Sequence, residues 1–178
     1  MDLVGRSAAA SSPDAELREV ATWIDVVIAR PHRDLGRSGP LCPYVPAALR
    51  EDALHFGVLR GESVEAVEAE VVDLLEAHRS LSRPPSKYAC IVLVARGISV
   101  PELLEVHRRV KPVAVDSGRM LGEFFPGYTS PGLHNPDFHP LTSPVPLLVI
   151  RHMVQGDDVF LAAEPAWVDA YRRTVVRV

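Results

Sequence analysis

The sequence predicts an α/β (α+β) fold, a single compact domain with a small mixed sheet of about four strands covered by helices. Three observations carry this. Apolar residues recur at helical spacing over 17–28, 64–78 and 103–110. Short apolar runs such as Ile91–Ala95 and Val145–Ile150 read as strands, and the two kinds of segment alternate along the chain. The 178 residues are 47% hydrophobic, enough for one core, and no linker divides them.

Residues 1–11 are small and polar and are expected to be a disordered lead-in to a domain over 12–178. Ser12 and Pro13 suit the cap and first position of a helix burying Leu17, Val20, Ala21, Ile24, Val27 and Ile28, and Pro31 ends it. From His32 to Pro46 prolines and glycines forbid regular structure, and so long a loop suits a functional role. Ala53–Arg60 reads as a strand closed by Gly61. Ser63 then caps a helix with Val64, Val67, Val71, Leu74, Leu75 and His78 on one face. Arg83-Pro84-Pro85 is a connector, and Tyr88–Ala95, nearly all apolar, is a central strand. Ser99 and Glu102 form a capping box for a third helix carrying Leu103, Leu104, His107 and Val110. Pro112 interrupts that helix, and 113–121 is expected to resume it. Phe124–Ser143 is loop, Leu147–Val154 strand, 155–158 turn and Val159–Ala162 a short strand. Pro165 opens a last helix burying Trp167, Val168 and Tyr171.

Composition excludes several classes. A net charge of −4 with no basic block gives no nucleic-acid footprint. Two cysteines make no disulfide scaffold and point to a reduced, cytoplasmic setting. No apolar run spans a bilayer, and Met1–Ser12 lacks the apolar core of a signal peptide. Phosphate loops, dinucleotide fingerprints, serine elbows and zinc-protease helices are absent. Lysine occurs only at Lys87 and Lys111, so an imine-forming mechanism has two candidates.

Proline marks the candidate site. Six of the sixteen fall between Phe125 and Leu147, and they stiffen the run holding His134, Asp137 and His139. Held still, these three side chains suit a zinc or non-haem iron site, or acid–base work; they equally suit a loop whose histidines cap backbone. Cys42-Pro43 places a thiol in the first proline-rich loop, as an iron ligand, a nucleophile or a small residue in a turn. Arg37, Arg119 and Arg151 are candidates for carboxylate pairing. His55, His78 and His107 read as core histidines, and Cys90 as core.

Gly132-Leu133-His134 followed by Pro146-Leu147-Leu148-Val149-Ile150-Arg151-His152 resembles the closing section of the YqcI/YcgG-type haem proteins, and Leu41-Cys42-Pro43-Tyr44 resembles their upstream cysteine segment. The Cys-Pro-aromatic and Gly-Leu-His-Asn-Pro motifs are also similar to those of a domain family common in actinobacteria. The resemblance covers roughly Cys42 to Leu161; Asn135 stands where the haem proteins have proline. It implies a haem-dependent oxidoreductase, a monooxygenase of specialised metabolism acting on a small-molecule substrate, with N-oxygenation as the model reaction. His134 would be the axial iron ligand, with Cys42 and His139 as alternatives. His139 and Asp137 would be catalytic, Arg151 or Arg37 would pair with the propionates, and Phe125 and Tyr128, with Phe124 and Phe138, would wall the cofactor. The alternatives are a haem sensor or carrier without turnover, a non-haem metal or acid–base enzyme using His134, Asp137 and His139, and an accessory protein with a structural loop. A free sheet edge suits pairing into a homodimer.

Overall fold

Alternation along the strands decides the architecture. In the computed structural model, which describes residues 1–81 and 86–175, the chain runs β1 (Val4–Gly5), α1 (Arg6–Ala10), α2 (Ala15–Trp23), α3 (Val45–Arg50), β2 (Leu54–Leu59), α4 (Val64–Ala77), β3 (Cys90–Ala95), α5 (Val100–Asp116), β4 (Arg119–Phe124), β5 (Leu147–His152) and α6 (Pro165–Val175). The strands form one five-stranded mixed sheet in the order β1-β2-β3-β5-β4. Only β2 and β3 are parallel, joined by the crossover through α4. Leu59, Ile91, Leu93, Leu121, Leu148 and Ile150 face α4 and α5. Leu54, Phe56, Val58, Val92, Val94 and Leu147 face α1 and α2. Central strands covered on both sides need continuous apolar sequence, which is why β3 is the clearest strand to read. Helix α6 closes a third cluster with Met120, Met153 and Leu161. The α+β fold in a single unit is as expected, with five strands in place of about four.

Several local expectations change. Residues 4–10 are not a disordered lead-in: Val4 and Gly5 pair with Phe56 and His55, and Ala9 is fully buried. Asp14, not Ser12, caps α2, accepting from Glu16 and Leu17 N–H, and the helix continues as a π turn over Ile24–Ile28. Helix α3 occupies the end of the first proline-rich loop and beyond, with Pro46 in its first turn. Helix α5 runs through Pro112, whose ring lies exposed on the solvent side while Val106, Val110 and Ala114 stay buried. It stops at Asp116, because Gly118 at φ +75° turns the chain into β4, the strand that replaces the expected helix over 113–121. A 3₁₀ turn, Asp157–Phe160, replaces the short strand over 159–162. In α6, Tyr171 is buried, whereas Trp167 and Val168 are half-buried. The connector Arg83-Pro84-Pro85 lies outside the described residues. No helix among the described residues is long and apolar enough to cross a membrane.

His78, at the end of α4, is 2% exposed and donates from Nε2 to the Ala89 carbonyl at 3.0 Å, tying the helix to β3. Its ring lies 4.6 Å from that of His152. Burial pushes its pKa down to about 4, with the nearby His152, Arg119 and His55 adding to the effect against the Ala89 bond. The folded chain therefore resists a proton that the unfolded chain accepts near its ordinary value. Stability is complete above about pH 6.5 and falls as the pH drops toward 4, by an amount on the order of 3 kcal/mol at most from this group. Burial lowers His55 and His152 in the same direction. Denaturant unfolding between pH 7 and 4.5 is expected to show this loss, and His78→Gln to flatten it; an unchanged slope in the variant contradicts the assignment.

Candidate functional site

The two proline-framed loops meet. Asn135 Nδ2 donates to the Asp34 carbonyl at 2.7 Å, and the Phe138 ring stacks on His32 with centroids 4.5 Å apart. Gly36, at φ +75°, lies so close to His134 that a Cβ there would sit 2.7 Å from its carbonyl oxygen. Within the second loop Gly132 N–H donates to the Phe138 carbonyl, Phe138 N–H to the Asn135 carbonyl, and Asp137 N–H to Asn135 Oδ1 at 3.0 Å. The backbone around His134 is thus held from both sides, while its side chain is exposed and has no hydrogen-bond or ion-pair partner among the described residues.

The other expected site residues do not converge on it. Asp137 and His139 are exposed, and His139 donates from Nδ1 to the Ser130 carbonyl at 3.3 Å. Among the described residues no group of three or more His, Cys, Asp or Glu is placed to hold a metal ion. Arg151 makes a two-pronged pair with Asp157 at 2.7 Å on each arm. Asp157 is 3% exposed and also accepts Val154 N–H, so Arg151 is committed to the end of β5. Burial would lower the Arg151 pKa, but Asp157 more than offsets it and holds the guanidinium charged. Arg37 turns back on its own loop, donating to the Ser38 and Leu41 carbonyls. Cys42 is half-buried against the α2 side of the core. The expected aromatic walls pack separately: Phe125 edge-on to Tyr128, Phe124 to Trp23 and Phe138 on His32.

A different group of polar side chains does converge. Glu123, near the end of β4, divides its carboxylate between two partners, with Oε2 3.0 Å from His107 Nε2 and Oε1 accepting from the Tyr128 hydroxyl at 2.8 Å. His107 and Glu123 are 17% and 18% exposed, buried enough to be dehydrated yet reachable. His107 comes from α5 and Tyr128 from the start of the second proline-rich loop. His107 Nε2 also lies 3.0 Å from the Leu121 carbonyl. Both neighbours are acceptors, so Nε2 carries the hydrogen and Nδ1 holds the lone pair, with no partner among the described residues. One turn along α5, Lys111 donates to the same Leu121 carbonyl. Burial would raise the Glu123 pKa, but the hydrogen bonds from His107 and Tyr128 and the His107 charge hold it below the ordinary carboxylate range. Tyr128 is pushed up to about 12 by burial and by the Glu123 carboxylate beside it. Sequence reading assigns His107 to the core and names Tyr128 only as a cofactor wall. Glu123 escapes it, because the strand that presents it falls between an expected helix and an expected loop.

Compared with known proteins, residues 17–177 match the family described as "Domain of unknown function (DUF6875)". No curated protein and no solved structure matches the chain.

If the loop seam depends on the bare Gly36 backbone, Gly36→Ala should cost about 1–3 kcal/mol locally. Hydrogen exchange is then expected to accelerate over 132–138 while β3 and β5 stay protected; unchanged exchange in the loop would show that the seam does not need this contact.

Proposed function

We propose that this chain, which belongs to the DUF6875 family, is an enzyme that moves protons on a small molecule at the Glu123 cluster. The division of one half-buried carboxylate between an imidazole and a phenol carries this reading. Glu123 is held below the ordinary carboxylate range and Tyr128 is pushed up to about 12 in part because the phenol donates to the carboxylate, so near neutral pH Glu123 is charged and Tyr128 is not. His107 takes a proton at Nδ1. Glu123 keeps Nε2–H oriented and stabilises the imidazolium that forms, the part a carboxylate takes behind a catalytic histidine. Tyr128 stays protonated near neutral pH and donates its one O–H to Glu123, fixing the carboxylate that orients His107. Compared with the exposed His134, Asp137 and His139, these groups are drier and hydrogen-bonded to one another. Acid–base chemistry therefore has better support here than in the loop.

A panel of small acids, esters, amides and carbonyl compounds in D₂O, followed by NMR, tests this directly. Proton exchange or turnover of at least one compound is expected, reduced about 10²-fold or more by Glu123→Gln and by His107→Gln. Activity that survives both substitutions, or none with any compound, contradicts the proposal.

Haem-dependent oxidation is a second reading, favoured by one observation. The His134 ring has no hydrogen-bond partner among the described residues, while its backbone lies against Gly36 and its neighbour Asn135 is tied to the Asp34 carbonyl. An imidazole so placed would be free to hold a haem iron. The surroundings fit less well: Arg151 is taken by Asp157, and Phe125 and Tyr128 lie edge-on to each other instead of forming a slot. Haem, when bound, would supply the redox chemistry. Titration with haemin should produce a Soret band that His134→Ala abolishes; a chain that takes up no haemin, or a band that survives the substitution, removes His134 from that role.

A further inference from the structure

We infer that Lys111 is an amine nucleophile that captures an aldehyde or ketone as an imine, an inference that deepens the acid–base reading and takes its proton transfers from it. The chain has only two lysines, and they differ. Lys87 is exposed, its ammonium 5.1 Å from the centre of the Tyr88 ring. Lys111 is half-buried on the face of α5 that overlies β4, one turn beyond His107. An ammonium carries three donors. Lys111 finds one acceptor among the described residues, the Leu121 carbonyl, and shares it with His107. Glu123, whose charge reaches it, spends its two oxygens on His107 and Tyr128. Lysines that merely cover a sheet edge keep their heads in water. A half-buried ammonium with two unused donors favours the neutral amine. Burial pushes Lys111 down to about 8, with Arg151 adding to the effect against Glu123 and Asp157.

The neutral fraction of this amine, sharing the Leu121 carbonyl with His107, has what imine formation needs. The Nζ lone pair attacks the carbonyl carbon, the carbonyl π pair moves to oxygen, and His107 Nδ1 relays to that oxygen the proton that the attacking nitrogen sheds. A second proton, taken up from solvent, lets the carbinolamine oxygen depart as water, and a protonated C=N bond replaces C=O. One amine, one carbonyl and one proton yield one protonated imine and one water, with no oxidant or reductant. The protonated imine then withdraws electrons from the neighbouring C–H, and the Glu123–His107 pair can remove that hydrogen as a proton. The substrate class is accordingly a small aldehyde or ketone bearing such a hydrogen.

Borohydride trapping reads this out. The whole chain is incubated near pH 7.5 with glycolaldehyde, glyceraldehyde, acetone or pyruvate and cyanoborohydride, then digested and mapped by mass spectrometry. Lys111 is expected to be labelled at least about tenfold faster than Lys87, since an amine titrating near 8 is far more often neutral than an ordinary lysine. Lys111→Arg keeps a cation and a donor for the Leu121 carbonyl, so its thermal unfolding reports whether the fold is intact while the label is lost. Equal labelling of the two lysines, or none at Lys111, overturns the inference. Proton exchange in the parent chain with no trapping at Lys111 also overturns it and leaves the acid–base reading standing. Trapping at Lys111 that is undiminished in His107→Gln and Glu123→Gln, with no exchange in the parent chain, supports the nucleophile and removes the acid–base reading.

Discussion

The antiparallel pairing of β4 with β5 is the constraint on which the site depends. Its register runs from Arg119 opposite His152 to Phe124 opposite Leu147, fixing both ends of the intervening loop. The loop leaves and returns over a bridge between Phe125 and Thr142, and the Phe125 carbonyl accepts Tyr128 N–H at 3.2 Å. Tyr128 is thereby delivered to Glu123, five residues earlier. The same pairing makes β4 an edge strand, and an edge presents backbone groups that need cover. Helix α5 provides it, laying His107 and Lys111 on the Leu121 carbonyl. Covering an edge and assembling the Glu123 cluster are accomplished by the same side chains.

The charges differ in what they hold. Arg151 and Asp157 fasten the chain where β5 ends, with Asp157 nearly sealed from solvent and also accepting Val154 N–H. Breaking such a pair strands a buried charge, so it behaves as framework. Tyr44 reaches across from the first proline-rich loop to the Gln155 carbonyl at 2.8 Å and ties that loop to the same corner. Prolines, Gly36 and these polar ties give the loops a fixed shape. Residues expected to grip a cofactor, Arg37 and Arg151 among them, are used to hold the protein to itself.

Much of the fold is legible in the sequence because local signals and burial agree. The Ser99–Glu102 box starts α5, Ser63 caps α4, and the unbroken apolar run of β3 marks the sheet centre. Strand β4 is harder to read: it follows the helix without a proline, carries Gly122 and Glu123, and is only partly buried. Gly118 is the one local sign of the turn into it. The amino-terminal strand and helix lack an apolar pattern and are stabilised by long-range pairing with β2. The site shows the same division. His134, Asp137 and His139 are close in sequence, but the tight turn leaves them exposed on the loop. His107, Glu123 and Tyr128 come from a helix, a strand and a loop, and only the β4–β5 register and the packing of α5 unite them. Lys111 could be noticed for its rarity; its burial could not.

The ionisation of Glu123 is the most direct test, followed by ¹³C-detected NMR of its carboxyl carbon in the parent chain and in His107→Gln. If His107 and Tyr128 outweigh burial, Glu123 titrates below the range of a free glutamate, and loss of the imidazole raises its midpoint. A midpoint at or above the free value in the parent chain, or one that His107→Gln leaves unmoved, would contradict the account.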